Sequence, residues 1–217
     1  MERNALIITG GSADPAFASD FMTDKKYDMI LAVDGGLALC HDIGLLPTHL
    51  LGDFDTVEEG LLERYAHLPG IRVIRHNPVK DATDTELALD LCLESHVSSV
   101  HILGGTGTRI DHSVANIYIL LHALRAGISC AMYDAHNKLY LTDHAMEIER
   151  EKQYGDFISL LPITEKVQSV TLKGFKYNLD CVDFHIGTSL GISNEIMDSR
   201  ASISFLSGIF LVVESRD

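Results

Sequence analysis

Val100-His101-Ile102-Leu103 runs without a break into Gly104-Gly105-Thr106-Gly107, and the reading of this stretch decides the fold. A short β-rich apolar run reads as a buried strand, and glycines at its carboxyl end mark a tight turn with close backbone approach. Beyond the turn, Val114, Ile117, Leu121 and Leu124 fall on one stripe of a helix over 113–125, with Gly127 as its stop. The same design recurs upstream. Residues 5–9 end in Gly10-Gly11-Ser12, residues 29–33 in Asp34-Gly35-Gly36, and residues 49–54 in an Asp pair. A further strand is expected over 71–75. Residues 84–94 read as a helix, with Leu87/Leu91 and Ala88/Cys92 at i and i+4 and with Thr83 and Glu86 as a capping box. Strands alternating with helices imply an α/β fold, a mainly parallel sheet with helices on both faces. In such a sheet ligands bind beyond the carboxyl ends of the strands, where each of these Gly and Asp clusters sits.

After residues 128–133 the pattern changes. Strand-like runs at 138–142, 157–161, 170–172 and 182–186 follow, and runs at 201–205 and 209–213 flank Ser207-Gly208 as a closing hairpin. No helix period of useful length lies beyond Arg125. The chain therefore divides into an α/β domain over 1–142 and an all-β, sandwich-like domain over 143–217.

The chemistry concentrates in two acidic stretches. On a strand end, the period of two puts Asp53 and Asp55 on one face, about 7 Å apart along the chain. Asp81 and Asp84 are i and i+3 at a helix start, where side chains converge. Four gathered carboxylates repel one another unless a hard cation sits among them, and an oxygen-only ligand set suits Mg2+. The plainer reading of Asp81 and Asp84 is a favourable charge on the helix dipole. For Asp34-Gly35-Gly36 it is a turn in which Gly supplies positive φ. The loop at 104–108 lies between strand and helix, so its N–H groups can face a phosphate, although it is neither a Walker A nor a Gly-x-Gly-x-x-Gly motif. Arg109 stands beside it as a clamp for phosphate oxygens, and Asp111 serves equally as a helix cap or a site residue. His112 is the histidine nearest this loop. The histidines show no metal-ligand spacing that calls for zinc. From composition alone, Gly191-Ile192-Ser193-Asn194-Glu195 is an exposed loop between strands.

Composition narrows the partners. A formal charge of −14 over 217 residues argues against a nucleic-acid surface, which needs gathered Lys and Arg. Apolar residues at 46% with 22% charged residues describe a folded, soluble chain and exclude disorder. Cys40, Cys92, Cys130 and Cys181 show no Cys-x-x-Cys spacing; small buried thiols and a reducing cytoplasm are expected. Nowhere do about 18 apolar residues run together, so no membrane span is expected. The apolar run at 5–8 is too short for a signal-peptide core.

Gly10-Gly11, Asp34-Gly35-Gly36, Gly52-Asp53-Phe54-Asp55, Lys80-Asp81-Ala82-Thr83-Asp84, the run from Gly104 through Arg109, Asp111 and His112 to Asn116, and Ser193-Asn194-Glu195 occur in this order over essentially the whole chain. Together they resemble the thiamin pyrophosphokinase family. The resemblance implies an N-terminal α/β domain joined to a C-terminal β-sandwich, and a homodimer with active sites across the subunit interface. It also implies transfer of the diphosphoryl group of ATP to the hydroxyl of thiamin, giving thiamin diphosphate and AMP. Carried over residue by residue, Asp53, Asp55, Asp81 and Asp84 would hold Mg2+ and the triphosphate and, with Arg109, form the catalytic set. Gly10, Gly11, Asp34, Gly35, Gly105, Thr106, Gly107, Thr108, Arg109, Asp111, His112 and Asn116 would form the nucleotide site. Ser193 and Asn194 would contact thiamin, and Asp81 or Asp55 would accept its proton. This chain has no Trp to stack on the pyrimidine, which leaves Tyr177 as the candidate, and Thr108 stands at a position where Gly occurs in relatives. Another magnesium-dependent nucleotide kinase or phosphohydrolase would use the same acids and loop with a different acceptor. A nucleotide- or thiamin-binding module would use them without turnover.

Overall fold

In β1 (Asn4–Ile8), Ala5, Leu6, Ile7 and Ile8 have no exposed surface, as a strand covered on both faces requires. The computed structural model describes residues 3–55, 57–58, 60–76 and 81–217, so Lys80 of the second acidic stretch lies outside the described residues. The chain divides into two compact units, Met1–Ala135 and His136–Asp217. Among the described residues no helix is long and apolar enough to cross a membrane.

The first unit continues with α1 (Pro15–Met22), β2 (Met29–Val33), α2 (Gly36–Asp42), β3 (His49–Gly52), α3 (Leu61–Ala66) and β4 (Arg72–Arg75). It closes with α4 (Asp84–Glu94), β5 (Ser99–Leu103), α5 (Ile110–Arg125) and β6 (Ser129–Tyr133). Its strands lie in the order β4-β3-β2-β1-β5-β6, every neighbouring pair parallel. From β1 the chain steps one way through β2, β3 and β4, then returns to the other side of β1 for β5 and β6. The order therefore reverses between β1 and β5. At such a switch point the loops leaving two adjacent strands diverge to opposite faces and open a crevice.

Local sequence accounts for the helices that frame this crevice. Thr83 caps α4, its hydroxyl accepting from the Glu86 N–H at 3.2 Å, while Ala88 and Cys92 are buried on the inner face. The helix α5 begins at Ile110, earlier than the stripe at 113–125 suggests, so Asp111 sits in its first turn and is not the cap residue. Its buried face is Asn116, Ile119, Leu120 and Ala123, whereas Val114 is exposed. The expected apolar stripe was thus displaced around the helix, because a polar residue, Asn116, occupies the inner face.

The second unit comprises β7 (Asn137–Thr142), β8 (Met146–Glu149), β9 (Phe157–Pro162), β10 (Lys166–Lys173), β11 (Leu179–His185), β12 (Arg200–Ser204) and β13 (Phe210–Ser215). The strands β7-β13-β9 form one antiparallel layer and β11-β10-β12-β8 another. Side chains from both layers, among them Ile158, Leu160, Phe184, Ile203, Phe210 and Val212, make one buried cluster, the core of a β-sandwich. The β7 segment, placed before the boundary at 142 from the sequence, pairs with β13 from Asn137 to Thr142. Ser207-Gly208 does not close a hairpin. β12 pairs with β10 and β8, β13 with β7 and β9, so the chain at Ser207-Gly208 crosses between layers instead of turning back within one.

Candidate active site

The loops leaving β1 and β5 are bonded to each other along their backbones. Thr9 N–H donates to Leu103 O at 3.0 Å, Gly11 N–H to Gly104 O at 3.0 Å, and Ser12 N–H to Thr106 O at 2.8 Å. This approach is why Gly11 must lack a side chain: a Cβ there would overlap the carbonyl oxygens of Gly104 and Thr106. Two glycine turns that look independent in the sequence are one structure.

A cleft of about 490 Å3 opens at this point, at the carboxyl ends of the strands. It brings together Gly10, Gly11, Asp34, Gly35, Asp84, Gly105, Thr106, Gly107, Thr108, Arg109, His112 and Asn116 of the sequence-derived set. The remaining walls are largely hydroxyls. Thr9, Ser12, Thr83, Thr85 and Ser113 join Thr106 and Thr108, so the lining combines hydroxyl-bearing residues with the carboxylates of Asp34 and Asp84. Of these, Thr9 and Thr85 are buried with their hydroxyl oxygens 3.2 Å apart, and Ser113 accepts from Gly107 N–H and donates to Arg109 O, both at 3.2 Å. The sequence signal for Thr9 and Ser12 was their place on either side of Gly10-Gly11; for Ser113 it was only its spacing of i+4 from Arg109.

The loop is anchored by two side chains. Asn116, buried, donates through Nδ2 to Gly105 O at 2.8 Å, and Thr106 Oγ1 donates to Asp134 at 2.9 Å. Arg109 and Asp111 form an exposed fork, with Nη2 to Oδ2 at 2.6 Å and Nε to Oδ1 at 3.3 Å. The hydrogen bonds from Arg109 hold the Asp111 carboxyl below the usual carboxylate range, and Asp111 in turn raises the guanidinium. An exposed pair of this kind contributes little to stability and leaves the guanidinium able to exchange partners.

Asp53, Asp55 and Asp81 do not line the cleft. Asp53 and Asp55 do not share one face of a strand: β3 stops at Gly52, with φ of +143° there and +63° at Phe54. A turn gathers them instead. Asp55 N–H donates to Asp53 Oδ1 at 3.2 Å, and Phe54 N–H donates to Asp34 Oδ1 at 3.3 Å, which ties the acidic turn to a carboxylate of the cleft. Gly52 lets that carboxylate in, since a Cβ would overlap Asp34 Oδ1. Asp81 is exposed just before α4, and Asp84, at the first position of α4, lies 3.2 Å from His76 Nδ1. His76 went unnoticed in the sequence, where nothing links it to Asp84.

Away from the cleft lining, Glu86 and Asp90 of α4 and His122 of α5 bring ligand-type atoms within 4.8 Å of one another. His122 Nδ1 is 2.9 Å from Asp90 Oδ1 and Nε2 is 4.0 Å from Glu86 Oε1, a polar seam between the two helices.

In the second unit, Tyr177 is 61% exposed, Ser193 is exposed and carries φ of +53°, and Asn194 is buried. The loop holding Ser193 and Asn194 is stitched to β9. Asn194 N–H donates to Ile158 O at 3.0 Å, Ile158 N–H returns to Asn194 O at 2.8 Å, and Ser193 N–H donates to Ser159 Oγ at 3.0 Å. Its backbone is therefore ordered by the sandwich and Asn194 is buried, where composition alone predicts an exposed loop.

Fold and cleft together define a parallel α/β protein with its ligand site at the switch point and a β-sandwich appended to it. Residues 23–132 match "Thiamin pyrophosphokinase, catalytic domain" and residues 143–210 match "Thiamin pyrophosphokinase, vitamin B1 binding domain". The chain is 33% identical to thiamine pyrophosphokinase of Bacillus subtilis (strain 168), over 97% of this chain and 98% of that one. It superposes on a crystal structure of thiamine pyrophosphokinase from Bacillus subtilis with a TM-score of 0.88, at 32% identity, covering 99% of this chain and 100% of that one. The crystal structure of thiamin pyrophosphokinase from Geobacillus thermodenitrificans gives a TM-score of 0.84 at 28% identity, covering 99% and 98%. The chain belongs to the thiamin pyrophosphokinase family.

Proposed function

We propose that the protein transfers the diphosphoryl group of ATP to the hydroxyl of thiamin, releasing thiamin diphosphate and AMP. The observation that carries the reading is the meeting, in one cleft, of the glycine loop over 104–108, Arg109, and the carboxylates of Asp34 and Asp84. A polyphosphate needs N–H and guanidinium donors on its oxygens, and an acidic chain needs a cation between those oxygens and its carboxylates. The donor set fits a hard divalent ion: Asp84 reaches the cleft, and Asp34 is hydrogen-bonded into the turn that bears Asp53 and Asp55, all oxygen donors. Asp53, Asp55, Asp81 and Asp84 would hold Mg2+. When bound, the ion neutralises polyphosphate charge in the ground and transition states.

The chain's own residues supply the rest. The loop with Gly105, Thr106, Gly107 and Thr108 cradles the nucleotide together with Gly10, Gly11, Asp34, Gly35, His112 and Asn116, and Asp111 sets the starting position of Arg109. The thiamin oxygen attacks the β-phosphorus, the bond from that phosphorus to the α–β bridging oxygen breaks, and AMP departs. A carboxylate, Asp55 or Asp81, takes the hydroxyl proton. Thiamin is bound by the β-sandwich domain of 143–217 at a site built from Tyr177, Ser193 and Asn194, with the α/β domain of 1–142 as the catalytic part. The enzyme would act as a homodimer in the cytoplasm, a compartment that suits four unpaired thiols.

A chromatographic product assay with ATP, Mg2+ and thiamin tests this. Equal amounts of thiamin diphosphate and AMP, dependent on both Mg2+ and thiamin, are expected. ADP with thiamin monophosphate would replace the reaction while keeping the site, and no thiamin-dependent product would refute the acceptor.

A further inference from the structure

Asn194 is 7% exposed, and its side-chain amide is almost fully committed within the protein. Oδ1 accepts from Tyr177 N–H and from Glu195 N–H, both at 3.0 Å, and Nδ2 donates to Tyr177 O at 2.8 Å. A primary amide has two acceptor sites on oxygen and two N–H donors. Both acceptor sites are filled, so a donor on a ligand finds no partner there. The backbone of Asn194 is bonded in both directions to Ile158 of β9. The residue is a pin joining a core strand to the turn that carries Tyr177.

Tyr177 is its opposite. The ring is 61% exposed, yet one side chain holds both polar groups of its backbone. The turn is fixed at its other end as well. Phe175, 3% exposed, packs into the sandwich core, its N–H donates to Asn178 Oδ1 at 3.1 Å, and Lys176 N–H donates to Glu195 O at 2.8 Å. Exposed aromatic rings on fixed backbone make recognition surfaces because little ordering entropy remains to be lost on binding. We propose that Asn194 is a positioning residue that holds the Tyr177 ring in place against the flat aromatic part of the acceptor, and does not itself touch the substrate. The inference rests on thiamin being that acceptor.

A double-mutant cycle on the full chain separates the two roles. Steady-state constants are measured for wild type, Asn194→Ala, Tyr177→Ala and the double variant, with Tyr177→Phe as the conservative change that keeps the ring. Loss of one aromatic stacking contact is worth about tenfold, so each single alanine variant should raise KM for thiamin by about that factor. The double variant should lie within about twofold of Tyr177→Ala, because a residue acting through another adds nothing once the other is gone. The loss should fall on thiamin KM and spare ATP KM and kcat, and Tyr177→Phe should recover most of it. Multiplying losses in the double variant, or equal losses in both KM values, overturn the proposal. If Asn194→Ala does not fold, Tyr177→Ala decides alone, since its exposed ring is not needed for folding: an unchanged thiamin KM overturns the proposal. A wild-type chain that makes no thiamin product overturns the preceding reading and this one with it, whereas thiamin turnover with multiplying losses overturns this one only.

Discussion

The side-chain amide of Asn116 donates to the carbonyl of Gly105 at 2.8 Å from the buried face of α5, where it is 6% exposed. A helix core position is thereby given to a polar residue whose bond reaches a loop carbonyl. Asn116→Leu keeps the volume and removes the donor, leaving a buried carbonyl unpaired at a cost of about 1–3 kcal/mol. ATP KM is expected to rise by about tenfold as the loop loosens, a factor worth about 1.4 kcal/mol, with thiamin KM little changed. Parallel saturation curves in ATP and thiamin check the split.

Gly11→Ala tests the junction of the two glycine loops. The added Cβ would overlap the Gly104 and Thr106 carbonyl oxygens, which are backbone atoms and cannot swing aside. The loops must separate, and the Gly11-to-Gly104 and Ser12-to-Thr106 bonds are lost with them. Isothermal titration should show nucleotide binding weakened by at least about a hundredfold, roughly two broken hydrogen bonds at about 1.5 kcal/mol each. Titration heats like those of the wild type would mean that the loops do not hold the ligand.

Asp53→Asn removes one charge from the acidic turn without changing its shape. Turnover is expected to fall by at least about a hundredfold, in the range of losing one transition-state electrostatic contact. Thermal stability should hold or rise, since like charges are relieved. Asp55 N–H retains an oxygen acceptor in the new side chain, so the turn itself persists. The check is a Mg2+ titration of both activity and melting temperature: survival of magnesium-dependent turnover would remove Asp53 from the centre of the site.

How far the sequence went can be judged residue by residue. Strand β1 was legible because a parallel strand buried on both faces has to be continuously apolar, and Thr83 because a helix cap is a local device. Gly10-Gly11 was legible as a turn, but its partner at Gly104 was not, because that pairing is set by the strand order. The strand carrying Asp53 and Asp55 was read too long. It stops where the Asp34 carboxylate lies against Gly52 and bonds Phe54, a tertiary contact that overrides the alternation. In the second unit, Ser207-Gly208 has the composition of a hairpin turn. Its contacts are long-range instead: Gln168 N–H bonds Ser207 O at 3.0 Å, and Ile209 N–H bonds Thr164 Oγ1 at 3.1 Å, which sends β13 to the other layer. What failed, in each case, was a local rule meeting a distant partner.

The thiols give a prediction independent of turnover. Burial pushes the Cys40 and Cys92 thiols up to about 12, and Cys130, which keeps some exposed surface, is raised by its desolvation and by its neighbour Cys92. The thiolate is the reactive form, so these three should be slow toward a disulfide reagent at neutral pH. Cys181 is exposed. Native protein should show one fast-reacting thiol per chain, the rest appearing on denaturation, and Cys181→Ser should abolish the fast phase. A fast phase surviving that change would show that one of the other three is accessible.

His49 sets a pH dependence of stability. It opens β3 between Leu31 and Arg72 on the neighbouring strands, with Nδ1 2.8 Å from Thr48 Oγ1. Burial, and then the positive charge of Arg72, push its pKa below the ordinary histidine value. The folded chain therefore takes up this proton less readily than the unfolded chain does. As pH falls through the ordinary histidine range toward the lowered value, the unfolded state binds more protons and stability declines; above that range the residue has no effect. Urea midpoints at pH 7.5 and 5.5 (about one pH unit on either side of the ordinary value of about 6.5) should drop more for the wild type than for His49→Gln, which cannot titrate. Partial exposure keeps the difference small, so the comparison is between slopes and not absolute stabilities. Two parallel pH profiles would mean that the imidazole is as well solvated in the folded strand as in the unfolded chain, and that Arg72 exerts no repulsion on it.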